Sequence, residues 1–121
     1  MTSISSRRVA VVAAGVVAAS ALATVVGPQA GAARYYGAIA YATNGAGASV
    51  WSYPSRADAE DAALDYCGYS TCKVLVTFSE CGAVAFDGDT LQGGSGSSLF
   101  AAINDAKSRL PGSWVESWAC N

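Results

Sequence analysis

The chain has 121 residues, no histidine, four cysteines, seven basic and nine acidic side chains. That length holds one domain. Beyond residue 33, nine acids stand against five bases, net −4 with no basic cluster, which excludes nucleic acid as a partner and makes the chain a poor candidate for anionic lipid.

Arg7 and Arg8 precede an uncharged apolar run from Val9 to Val26, which Gly27-Pro28 breaks and Ala30-Gly31-Ala32 follows. A basic start, an apolar middle and an A-x-A end are the three parts of a secretory signal peptide. The reading is a signal peptide over 1–33, cut after Ala32 or Ala33, then a single α+β domain over 34–121 that is secreted or retained in the cell envelope. The apolar run approaches the length of a membrane span. Its residues are mostly alanine and valine, too weakly hydrophobic for a permanent anchor, so no membrane association is expected after cleavage.

The first predicted strand, Gly37–Tyr41, places Ile39 and Tyr41 on one face and alanines on the other. A Gly-rich turn over 43–47 follows. Ser55 caps a helix with Asp58 three residues on, Ala59, Ala62, Ala63 and Tyr66 form its inner stripe, and Gly68 ends it. A strand over Lys73–Phe78 closes the first half. Gly82-Ala-Val-Ala-Phe86 then repeats the opening motif, with Val84 and Phe86 in the large positions, before a second Gly-rich turn over 87–97. A helix begins at Ser98, carries Leu99, Ala102, Ile103, Ala106 and Leu110 at helical spacing, and stops at Pro111-Gly112. The last strand is Ser113–Ala119.

These elements read as β-β-α-β, duplicated at an offset of about 40–45 residues: repeat one over about 36–80 and repeat two over about 81–121. The expected fold is α+β, with six strands in one mostly antiparallel sheet and both helices gathered on one face.

Four cysteines in an exported domain this small predict two disulfides. Cys67 closes the first helix and Cys72 opens the next strand, while the corresponding places in the second repeat hold Leu110 and Gly112 or Ser113. Two cysteines missing together are what a mutual disulfide requires. Cys67 therefore pairs with Cys72, leaving Cys81 for Cys120.

Other chemistries fail on spacing. Zinc needs four converging ligands, and a redox pair needs C-x-x-C at a helix N-terminus. Neither pattern exists, and no metal or cofactor is expected. Ser70-Thr71-Cys72-Lys73 spells S-x-x-K, but that chemistry needs both residues on one helix face plus further motifs. Asp58, Glu60, Asp61 and Asp65 read as a solvated helix surface, and Asp87-Gly88-Asp89 as a hairpin turn with too few oxygens for calcium. Without histidine or a free thiol, no catalytic constellation emerges, and the chain is read as a non-enzyme.

The candidate ligand surface is aromatic. Trp114, Glu116 and Trp118 alternate along the last strand and are expected to share a face, with Trp51 and Tyr53 joining them where equivalent faces align. A glutamate between two tryptophans argues for a face left open to solvent, and exposed aromatics mark binding surfaces.

The chain resembles a bacterial secreted family designated domain of unknown function 4189. The residues that carry the resemblance are Tyr36–Tyr41, Pro54–Ala57 with Ala59-Glu60, Ala63-Leu64, Cys67-Gly68, Cys72–Val74, Phe78, Cys81–Ala85 and Trp118–Cys120. It departs in the second half, where "RLPGSW" replaces the C-G…C-[KR]-V segment. The resemblance implies export and cysteine-bearing members and no known activity, catalytic residue or cofactor. The expected function is an exported non-catalytic binding or structural domain whose partner is a protein or a cell-wall ligand. The alternative is a small inhibitor or immunity-type protein acting on a secreted hydrolase, a role its acidic, stapled surface suits.

Overall fold

The computed structural model describes residues 34–121, and the expected signal peptide over 1–33 lies outside the described residues. In chain order the elements are β1 (Tyr36–Tyr41), β2 (Gly47–Tyr53), α1 (Arg56–Cys67), β3 (Lys73–Phe78), β4 (Cys81–Phe86), β5 (Leu91–Gly96), α2 (Leu99–Ser108) and β6 (Trp114–Cys120).

Both helices start as their sequences dictate. Ser55 and Ser98 are extended, and each side chain accepts the backbone N–H three residues on, from Asp58 and Ala101, at 3.1 Å. These bonds satisfy donors that a helix leaves unpaired at its first turn. Gly68 ends α1 in the left-handed region (φ 81°), its N–H bonded to the Leu64 carbonyl. The buried stripe of α1 is Ala59, Ala63 and Cys67, whereas Tyr66 is 73% exposed. Tyr66 is therefore not part of the inner stripe, because the i, i+4 row that meets the sheet ends on the half-cystine. Leu110 likewise lies beyond the end of α2, in the turn before β6.

The expected single sheet is two. Strand order is β2-β1-β3 in one and β5-β4-β6 in the other, antiparallel throughout. The central strands explain why. Ala38 and Ala40 pack beneath α1, and Ala83 and Ala85 beneath α2. Their alternate neighbours Ile39 and Val84 meet instead with Phe78 and Ala119 in a third cluster, which lies between the sheets. In an open sheet these large side chains would face water, forfeiting about 1.5–3 kcal/mol each. Stacking the sheets recovers that burial. The order of layers is α1, sheet, sheet, α2, with the helices on opposite outer faces rather than on one.

The segment expected as a second Gly-rich turn is largely strand β5. Its glycines mark close approaches: a Cβ on Gly96 would stand 2.6 Å from the Ala101 Cβ, and one on Gly94 would meet the Ala106 backbone. The turn proper is shorter. The Asp87 carboxylate accepts the N–H groups of Thr90 (2.7 Å) and Asp89 (2.9 Å). Those bonds, Thr90's foremost, hold its carboxyl below the ordinary 3.8.

Asn121 was not singled out by sequence, yet its side chain fastens three segments. Its Oδ1 accepts the Ser52 N–H (2.7 Å), and its Nδ2 donates to the carbonyls of Tyr35 (3.2 Å) and Ser79 (2.9 Å). Its own N–H reaches the Glu80 carbonyl (2.8 Å). Ser52 needs the support, because it is a non-glycine residue at φ 66°. Asn121→Ala is expected to cost about 1–2 kcal/mol, lowering the thermal midpoint by about 5–10 °C. Calorimetry of the variant checks this, and an unchanged midpoint would show the clasp to be idle.

Candidate functional site

All four sulfurs are bonded, Cys67 to Cys72 and Cys81 to Cys120. Cys67 belongs to the core under α1, and the loop it closes docks on the β1–β2 turn, where Thr71 Oγ1 accepts the Thr43 N–H at 3.2 Å. Cys81 and Cys120 are register partners on β4 and β6. No thiol is left as nucleophile, redox centre or metal ligand. Among the described residues no group of three or more histidine, cysteine, aspartate or glutamate residues is placed to hold a metal ion. Ser70 lies in the turn between the half-cystines and Lys73 opens β3, so the S-x-x-K match has no helix on which to align its two groups. Two disulfides fit a non-reducing compartment.

The aromatic surface is arranged differently from the alternation expected. β6 carries a bulge: Ser117 pairs with Val84, but Val115 pairs with the next residue of β4, Ala85. A bulge inserts one residue, here Glu116, and resets which side of the sheet each side chain takes. Trp118 lies opposite Ala83, whose side chain faces α2, whereas Trp114 lies opposite Phe86, on the other side. The two tryptophans therefore do not share a face. Trp114 stands edge-on to Phe86 with ring centroids 5.6 Å apart, and exposed Glu116 lies in the bulge.

Trp118 is instead brought to Trp51. Residues Trp51, Trp118, Ala119 and Cys120 line one hollow of about 230 Å³, and the two rings are 54% and 53% exposed. β2 and β6 are edge strands of different sheets, and stacking the sheets places their ends side by side. Trp118 stays open because α2 packs mainly over β4 and β5, leaving β6 at its margin. A second, shallower hollow of about 470 Å³ follows β2 and is lined by Gly47–Trp51, Tyr53 and Tyr66. Tyr53 is half-buried there against the α1 core. Trp51 borders both hollows, so Trp118, Trp51, Tyr53 and Tyr66 form one aromatic margin.

Tyr66 is the member that sequence reasoning placed wrongly. The signal was present in Cys67: a half-cystine at the helix end takes the buried row, and its neighbour must then turn to the flank. The charges of α1 divide on the same geometry. Glu60 leans over β3, where its Oε2 accepts the Thr77 hydroxyl at 2.6 Å. At 100° per residue, Asp58 and Asp65 lie away from Glu60, exposed on the solvent side of the helix beyond Tyr66.

Among the described residues no helix is long and apolar enough to cross a membrane. Comparison with known proteins finds similarity to protein Rv1269c of Mycobacterium tuberculosis, 52% identical over 92 residues and spanning 76% of this chain and 74% of the relative. Rv1813c of the same species, an uncharacterized protein, is 49% identical over 87 residues, spanning 72% of this chain and 61% of its own. The NMR structure of Rv1813c superposes with a TM-score of 0.65 at 46% identity, covering 78% of each chain. The family described as Domain of unknown function (DUF4189) matches residues 36–120. That span runs from the first residue of β1 to the last of β6 and includes both disulfides and both rings of the Trp51–Trp118 hollow: the chain belongs to the DUF4189 family.

Proposed function

We propose that this chain is an exported, non-catalytic binding domain that holds a protein or cell-wall ligand on the aromatic margin formed by Trp51, Tyr53 and Trp118. The observation that carries the reading is the convergence of Trp51 and Trp118. They come from different sheets and from sequence positions far apart, yet each is half exposed in one hollow. Large rings left partly open at an edge are the anchors that binding surfaces use. Export is supported by the signal-peptide pattern over 1–33 and by the bonding of every cysteine. The two β-β-α-β halves are read as tandem copies, supported by the match of Gly37-Ala-Ile-Ala-Tyr41 to Gly82-Ala-Val-Ala-Phe86 and by their common strand order.

The test is sedimentation with purified cell wall, alongside capture from culture supernatant, using wild type and the Trp51→Ala/Trp118→Ala double variant. The variant is expected to lose at least about ten-fold in retained ligand. Its stability should fall by no more than about 1–2 kcal/mol, because half of each ring is already in water. Equal retention by both proteins, no retention by the wild type, or collapse of the variant's fold would each refute the reading.

A further inference from the structure

β2 is an edge strand: β1 pairs with it on one side, and among the described residues no strand pairs with the other. The bond from the Ala42 N–H to the Ala46 carbonyl (2.8 Å) sets the phase of the ladder. Antiparallel pairing alternates inward- and outward-pointing residues. With Ala40 opposite Ala48 and Ala38 opposite Val50 as bonded pairs, the N–H and C=O groups of Gly47 and Ser49 point away from β1. Edges are commonly blunted by charge, proline or a bulge. Gly47–Tyr53 contains neither charge nor proline, and its bulge, at Trp51–Ser52, leaves Gly47 and Ser49 in regular register. The shallow hollow of about 470 Å³ runs along this strand.

We infer that this edge accepts an extended peptide of alternating basic and apolar residues, which adds to the sheet as a strand beside β2. Unpaired backbone groups at two-residue spacing recognise peptide backbone, and flanking side chains choose the sequence. On the α1 side the added strand meets Tyr66, with Asp58 and Asp65 beyond it. An arginine there lies over the ring and reaches a carboxylate. The opposite side meets Trp51 and takes apolar residues. A second copy of this chain is disfavoured as occupant. Antiparallel pairing of two β2 edges would place both α1 helices on one side of a continuous sheet and bring the Asp58 and Asp65 flanks together.

This inference rests on the binding role proposed for the aromatic margin, and it is tested separately from it. The probe is a blocked octapeptide alternating arginine and valine, titrated into the full chain by calorimetry. Binding is expected, with slowed amide exchange at Gly47 and Ser49. Affinity should fall at least about ten-fold for a glutamate–valine peptide and for an arginine–valine peptide with alternate amides N-methylated. Asp58→Asn/Asp65→Asn should weaken binding at least about five-fold. Ser49→Pro, at a position whose N–H faces outward and carries no ladder bond, should abolish it. Absence of binding, equal binding of either control peptide, or dimerisation of the peptide-free chain in sedimentation equilibrium overturns the inference. Failed peptide arms with tryptophan-dependent ligand retention intact overturn strand addition alone, whereas retention that ignores Trp51 and Trp118 overturns the aromatic reading alone.

Discussion

Phe78→Ala is expected to cost about 3–5 kcal/mol in urea unfolding, a large part of the total of about 4–13 kcal/mol that a domain of this size possesses. Phe78 is 2% exposed and closes β3 at the centre of the cluster between the two sheets. Its ring lies against Gly37 of β1 and Gly82 of β4, one from each central strand: a Cβ on Gly37 would stand 2.5 Å from the ring's Cε2, and one on Gly82 would fall equally deep in it. The two glycines stand at matching places in the recurring motif, and together they make the slot that admits an aromatic ring between stacked sheets. Gly82→Ala should accordingly cost about 1–3 kcal/mol by overpacking. The same change in a Phe78→Leu background should cost less, because the sites share one space. A Phe78→Ala loss below about 1 kcal/mol, with Gly82→Ala neutral, would mean that the sheets are not held by this contact.

Removal of the Cys81–Cys120 bond is the second large effect. Its sequence separation is 39, against 5 for Cys67–Cys72. Cross-links stabilise chiefly by restricting the unfolded chain, so the longer loop contributes about 4 kcal/mol and the shorter about 2. The native pairing of β4 with β6 is expected to survive loss of the bond, since Cys81 and Cys120 are only the last rung of a ladder that reaches Phe86 and Trp114. Cys81→Ser/Cys120→Ser should therefore fold to the same structure but unfold at markedly lower guanidinium concentration than Cys67→Ser/Cys72→Ser. The reverse order would show that the short loop does more than close a turn. The Thr71–Thr43 contact that docks it on the β1–β2 turn names the place to look.

The local chemistry of the sequence was sufficient for both helix starts and for β1, β3 and β4, but not for β5, whose glycines read as a turn. Ser55 with Gly68 bounds α1, Ser98 starts α2, and the strand expected over Lys73–Phe78 is β3 to the residue. Caps, helical spacing and strand alternation are set by neighbours within four or five positions, so a reader of the chain sees everything that decides them. The alternation of alanine with Ile39 and Val84 even states that each central strand has one close-packing face and one bulky face. What meets the bulky face is not a local matter. Only the tertiary structure decides that it is a second sheet rather than solvent, because that depends on Phe78 fitting between glycines that are 45 positions apart in the chain. The same holds for the candidate site. Strict alternation put Trp114 with Trp118, but the bulge at Glu116, visible only once β6 is paired with β4, sends them to opposite faces. Stacking of the sheets then gives Trp118 a partner, Trp51, that no spacing rule connects to it.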